Sequence, residues 1–286
     1  MSLRSLLRAS ALYTAGNVAP KIGAFLLLPI YVRFLTQEDY GALALLTSLA
    51  GILAIVYHLG IDSALMRLHF DVRGRALSSL YSTATLFSLA LGVGLTVVLA
   101  LALGPFFESL FAGTPFLPLG ALALLVALVG SLQYVPSTLF RASGLAGRFL
   151  AVNLGAFLLS SLTSVVLVVA FDLGATGVLT GQLIGGTAVF VVTLVVVGRL
   201  GPWSFRTEQL GELVRLGLPL LPHGISAWAM RLADRWLIAL LIGLPAVEAR
   251  AQVGVYAVGY QLGFVVSIVI TSFNSAWSPY FYRIGE

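Results

Sequence analysis

Apolar runs alternate with short polar connections along the whole chain, and eight runs can be placed. They cover about 11–33, 40–60, 78–103, 115–138, 149–171, 176–198, 214–243 and 253–277. Each is about the length needed to carry a helix across a hydrocarbon layer roughly 30 Å thick. All contain Gly, Ser or Thr, which lets membrane helices approach one another closely. The longest connections, about 61–77 and 199–213, leave no room for a domain outside the membrane. Both "IDSALMRLHFDVRGR" (61–75) and "GPWSFRTEQLGELVRLG" (201–217) mix apolar residues with Arg, a texture that suits segments lying in the interface plane. The expected architecture is all-α and polytopic, with about eight transmembrane helices.

One echo runs through this pattern. "RFLTQEDYGALALLTSL" (33–49) and "LIGLPAVEARAQVGVYAVGYQL" (241–262) both end a span, turn through a short acidic connection, and enter the next helix with Tyr and Gly. The seventh and eighth spans therefore read as the start of a second copy of the first and second. A six-helix offset keeps the orientation, so the repeat is parallel. The expected division is a six-helix bundle over 1–200 and the first two helices of a second bundle over 201–286, a second half that stops early.

Composition agrees with the pattern. The 286 residues are 59% hydrophobic and 9% charged, whereas soluble domains carry about 25% charged residues. There is no Cys, which excludes disulfides, thiolate metal sites and thiol catalysis. The first run is interrupted by Asn17 and Lys21 and is followed by no small-residue cleavage site, so it reads as a span rather than a cleaved signal. With the N-terminus cytoplasmic, Arg4, Arg8, Arg67, Arg73, Arg75, Arg141, Arg148, Arg199, Arg206, Arg215 and Arg283 fall on the cytoplasmic side, and only Arg33 and Arg250 fall opposite. That bias places both termini in the cytoplasm.

Charge inside the spans carries the candidate chemistry. A central ionised side chain costs about 2.5–3.5 kcal/mol on insertion scales, so such groups face a bundle interior or a wet path. On the seventh span, Arg231, Asp234 and Arg235 share a stripe with His223, and Ser226 lies at its edge. Spacings of three and four residues allow one ion pair and leave one positive charge over. Pro219 and Pro222 should loosen the start of this helix. On the first span, Asn17 and Lys21 share a face, with Lys21 near the midplane. Ser48 on the second span and Tyr256 and Tyr260 on the eighth complete the candidate set; polar residues of that kind also serve as contacts between helices. His58 and His223 stand alone, without partners at metal-ligand spacing. No phosphate loop, nucleophile elbow or metal motif is present, which argues against an enzyme, a cofactor, ATP hydrolysis and nucleic-acid binding.

A family resemblance is carried by "GAFLLLPIYVRFLTQEDYGALALLTSLAGILAIVYHLGIDSALMRLHFD" (23–71), most closely by its last 13 residues, and by the segments 141–169 and 216–281. These resemble the Wzx-like polysaccharide-biosynthesis exporters, lipid-linked oligosaccharide flippases of the multidrug/oligosaccharidyl-lipid/polysaccharide (MOP) superfamily that includes the MATE transporters. The resemblance implies two six-helix bundles around a central cavity in a bacterial inner membrane. It implies translocation of an undecaprenyl-pyrophosphate-linked glycan by alternating access, with membrane lipids and polysaccharide polymerase machinery as partners. Lys21, Arg231 and Arg235 would then meet the pyrophosphate, Asp234 would hold one Arg, and Asn17, Ser48, Tyr256 and Tyr260 would meet sugars. A lipid II-type flippase, a multidrug or cation antiporter of the same superfamily, and a non-transporting fragment stand as alternatives.

Overall fold

A computed structural model describes residues 3–263, with side chains from residue 11 onward. Every regular element within that range is helical. The helices are α1 (Leu3–Phe34), α2 (Gln37–His58), α3 (Ile61–Leu68), α4 (Arg75–Leu103), α5 (Phe107–Leu110), α6 (Ala121–Ser131), α7 (Tyr134–Ala142), α8 (Ala146–Val169), α9 (Gly174–Leu200), α10 (Thr207–Gly217) and α11 (Leu221–Leu241). A twelfth, α12, covers 246–263.

Among the described residues, six stretches are long and apolar enough to cross a membrane: Ala11–Phe34, Gln37–His58, Arg75–Leu110, Phe116–Ala142, Ala146–Val169 and Gly174–Leu200. They make this a multi-pass membrane protein. The seventh expected span, 214–243, is not one continuous helix. The α-helical ladder is interrupted after Gly217 by one 3-10 turn at Leu218–Leu220, with right-handed backbone on either side of it, and resumes as α11 with Pro222 in its first turn. Proline lacks the amide hydrogen a helix interior needs and is tolerated in the first turn of a helix, which is where the 3-10 turn leaves Pro222. The eighth expected span begins as α12, and its far end lies outside the described residues.

The bundle is built by neighbours packing in series. α1 packs on α8, α8 on α9, α9 on α6, and α6 on α2 and α4. Glycine permits the closest of these approaches. A methyl group on Gly181 would come within 2.1 Å of Ser164 Oγ, and one on Gly186 within 2.5 Å of the Val129 side chain. The main core runs through Leu45, Leu46, Leu49, Phe107, Phe111 and Leu179. A second core gathers Ile61, Leu65, Tyr81, Val135, Val197 and Leu213. There α3 and α10 cover each other's apolar faces, so the two segments expected to lie flat at the interface are packed together. His69, at the corner after α3, shares a hydrogen bond of 2.9 Å with the Tyr81 hydroxyl. Burial lowers its pKa, because loss of water disfavours the imidazolium.

The two hairpins of the sequence echo meet face to face. A methyl on Gly41 of α2 would lie 1.9 Å from the Arg250 carbonyl oxygen, and one on Gly254 of α12 would lie 2.2 Å from the Gln37 carbonyl oxygen. Each carbonyl stands four residues before the glycine on its own helix, so the contact is reciprocal. Seven residues further along each helix, Ser48 donates to the Leu232 carbonyl of α11 at 3.2 Å and Gln261 donates to the Ala24 carbonyl of α1 at 3.2 Å. At the other end of α2, Gly60 takes a left-handed conformation (φ +70°) and presses against the backbone of Gly217. A side chain at Gly60 would be strained and would also strike that carbonyl.

Candidate functional site

Two adjoining chambers lie where polar side chains of different helices converge. The first, about 430 Å³, is formed by α1, α6, α8, α9 and the α6–α7 junction, and Asn17, Lys21, Gln133, Asn153, Ser160 and Gln182 are among its lining residues. Its polar wall is held by a Gln133 donation to Asn153 Oδ1 at 2.8 Å, while Asn153 donates to the Phe149 carbonyl at 2.9 Å. The second chamber, about 380 Å³, lies between α1, α2, α9, α11 and α12, with Tyr31, Tyr40, Thr47, Arg235, Tyr260 and Gln261 among its lining residues. There the Tyr40 hydroxyl donates to Gln261 Oε1 at 2.8 Å. Gln182 of α9 lines both chambers. Carboxamides offer a donor and an acceptor together, and tyrosines an apolar face with a polar tip, so the pair of chambers can bind a ligand rich in hydroxyls.

The charges of α11 are divided between two surroundings. Arg235 is buried, 6% exposed. It pairs with Asp234 at 2.9 Å, donates to the Arg231 carbonyl at 2.8 Å, and holds its guanidinium 4.7 Å from the centre of the Tyr260 ring. The Tyr256 hydroxyl donates to the other oxygen of Asp234. A buried arginine needs such a set, because its charge and its five N–H groups all lose water together. Arg231, by contrast, is exposed and turns its Nε onto the Ala227 carbonyl of its own helix.

Comparison with known proteins places this architecture. The family profile described as "Polysaccharide biosynthesis protein" matches residues 6–285. The chain belongs to the polysaccharide biosynthesis protein family. A protein of the Lsg locus of Haemophilus influenzae is 24% identical over 280 residues, 96% of this chain and 65% of that relative. The chain therefore spans just under two thirds of the length of the curated relative it matches. A MOP superfamily transporter from Pyrococcus furiosus superposes with a TM-score of 0.65 at 17% identity, over 96% of this chain and 72% of that one. A MATE protein solved in complex with MaD3S gives a TM-score of 0.59 at 20% identity, over 97% and 74%. The fold of this polysaccharide biosynthesis protein is that of MOP superfamily transporters.

Within this family member, the residues singled out by sequence separate into groups. Lys21 and Asn17 line the first chamber, and Arg235 and Tyr260 the second. Asp234 and Tyr256 stand behind Arg235. His223, Ser226 and Arg231 are exposed on α11 and line neither chamber. Ser48 is fully buried. Its hydroxyl accepts from Trp236 at 3.0 Å and its carbonyl from Trp228 at 2.8 Å, so it joins α2 to α11. The single cationic wall expected on α11 is thus two arrangements, one of them internally balanced. Sequence reasoning did not reach Tyr31, Tyr40, Gln182 or Gln261 as lining residues. The signal for Gln182 is a lone amide in "GVLTGQLIGGTAV" (177–189), flanked by the glycines that pack α9 on α8.

Proposed function

We propose that this protein carries an undecaprenyl-pyrophosphate-linked oligosaccharide across a bacterial inner membrane, from the cytoplasmic to the outer face, by alternating access. The observation that carries the reading is the pair of polar chambers, one within the first bundle and one between it and α11–α12, in a chain of the polysaccharide biosynthesis family. The Lys21 ammonium supplies a point charge for the pyrophosphate. Tyr31, Tyr40, Tyr260 and the carboxamides supply stacking faces and hydrogen bonds for sugars. Arg235 contributes less net charge than its position alone implies, because Asp234 balances it. The reciprocal contact of Gly41 and Gly254 supports a parallel repeat, with α11 and α12 opening the second copy, and the Arg bias of the connections supports both termini in the cytoplasm. Other members of a polysaccharide assembly pathway, polymerase machinery among them, are its expected partners.

The reading is tested by export of surface polysaccharide in cells whose own exporter is deleted, with the gene expressed in its native reading frame. Lys21→Ala should reduce export at least about tenfold, the effect of losing one charge-assisted contact of about 1.5 kcal/mol or more. Arg231→Ala, on the face that lines neither chamber, should keep most of it. Full export by Lys21→Ala at normal protein level would sink the proposal.

A further inference from the structure

Gln182 occupies a place that the proposed transport reading does not itself require. It is a half-buried carboxamide on α9, and it lines the Lys21 chamber and the tyrosine chamber alike. Among the described residues its amide has no hydrogen-bond partner. Three other amides of the two chambers are engaged by protein, Gln133 with Asn153, Asn153 with Phe149, and Gln261 with Tyr40 and Ala24, whereas Asn17 is exposed on α1 and lines the first chamber only. A half-buried polar group without a protein partner is costly unless water or a ligand satisfies it.

The position of Gln182 is also fixed. The preceding residue, Gly181, touches Ser164 and Ser160 so closely that α9 cannot rotate without separating from α8. Three residues on, Gly185 lies against Ser160 and the Ala156 carbonyl, and Gly186 lies against Val129 of α6. α9 is held on two sides, and the amide points into the boundary between the chambers. With the backbone held in this way, a ligand has only the rotamers of the Gln182 side chain left to order.

We infer that Gln182 is a specificity-determining residue that joins the two chambers into one site for a composite ligand, with a diphosphate on the Lys21 side and a saccharide on the tyrosine side. The inference rests on the proposed function, and it adds that the two halves of the ligand are bound at once rather than by either chamber alone. Its amide would donate to a bridging oxygen or accept from a hydroxyl where the two halves are joined. Joining two ligand parts that fit neighbouring subsites raises affinity by about 10²–10⁴-fold over either part, when the geometry permits both to engage.

The test uses the full chain in lipid nanodiscs, titrated by calorimetry. The probes are inorganic pyrophosphate, a free disaccharide, and the same disaccharide joined to farnesyl diphosphate; farnesyl diphosphate alone measures the contribution of the lipid tail. The joined ligand should bind at least about 100-fold more tightly than pyrophosphate and well beyond farnesyl diphosphate. Gln182→Leu should weaken the joined ligand about tenfold and leave pyrophosphate within twofold. Gln182→Asn, which keeps the amide, should recover part of the loss, and an unchanged unfolding temperature in both variants shows that α9 still packs. A joined ligand that binds no better than farnesyl diphosphate overturns the bridge and leaves the transport reading standing. So does a Gln182→Leu that weakens all probes alike. If no probe binds the unsubstituted protein, both fall.

Discussion

α1 and α11 each carry positive charge inside an apolar helix, and the two treat it in opposite ways. On α1, Lys21 lines a chamber walled by carboxamides. On α11, Arg235 is enclosed by Asp234, Tyr260 and the carbonyl of Arg231, and its charge is balanced where it stands. The difference teaches that the cost of a membrane charge is readable from its own helix, whereas its role is decided by the neighbour. α8 and α9 give Lys21 a polar chamber, and α12 gives the α11 pair two tyrosines. One charge lines a chamber, where the proposed function gives it a ligand, and the other joins α11 to α12.

The largest effect expected from this contrast is on stability. Asp234→Ala leaves a buried guanidinium without its counter-charge and should destabilise the protein by about 3 kcal/mol, toward the low end for broken buried pairs because Asp234 is itself half-buried. The double variant Asp234→Ala/Arg235→Met should regain most of that, since it removes both charges and keeps the volume. Lys21→Ala, at a chamber wall, should cost less than about 1 kcal/mol. Denaturant unfolding of the detergent-solubilised protein measures all three. A Lys21→Ala loss as large as that of Asp234→Ala would erase the contrast between the two helices.

The contrast matters more if α1–α2 and α11–α12 are equivalent hairpins, because then one copy has specialised its charge. Their reciprocal contact supplies a test. Gly41→Ala and Gly254→Ala each push a methyl into a backbone carbonyl of the other hairpin, at 1.9 Å and 2.2 Å. Backbone cannot swing aside as a side chain can, so each should cost about 2–3 kcal/mol. Losses that agree within about 0.5 kcal/mol support equivalence. A loss at one glycine alone would show that the contact is reciprocal in shape but not in energy.

Much of this was legible in the chain itself, and the limits have physical causes. The long apolar runs of α2, α4, α8 and α9 mark their helices to within a few residues, because a span must be apolar along its whole length. The break before α11 was signalled by Pro219 and Pro222. The echo around Gly41 and Gly254 was legible as similarity, but not as contact, since nothing local says that two like segments cross each other. The site was less legible for the same reason. Arg231 and Arg235 are four residues apart and look alike from α11, yet one is exposed and the other buried. What separates them is Tyr260, 25 residues further along the chain and on another helix. Gln182 gave little local signal, because its meaning comes from two chambers assembled by helices on either side of α9.

A smaller effect than that of either glycine tests how α11 is held on α2. Ser48 accepts from Trp236 and donates to the Leu232 carbonyl, and its counterpart in the glycine register, Gln261, donates to the Ala24 carbonyl on the opposite hairpin. Ser48→Ala removes one acceptor and leaves the Trp236 N–H without a partner in the interior, so it should cost about 1–2 kcal/mol. Gln261→Leu strips Tyr40 of its acceptor but leaves the Tyr40 hydroxyl at a chamber wall that water can reach, so it should cost less, about 0.5–1 kcal/mol. Export separates the two further. Ser48 touches neither chamber and its variant should keep transport in proportion to the folded protein present, whereas Gln261 lines the tyrosine chamber and its variant should lose transport beyond what stability explains. If Ser48→Ala proves the more damaging to export per folded molecule, then the α2–α11 seam takes part in transport directly, and α11 is more than the fixed support its balanced charges make it.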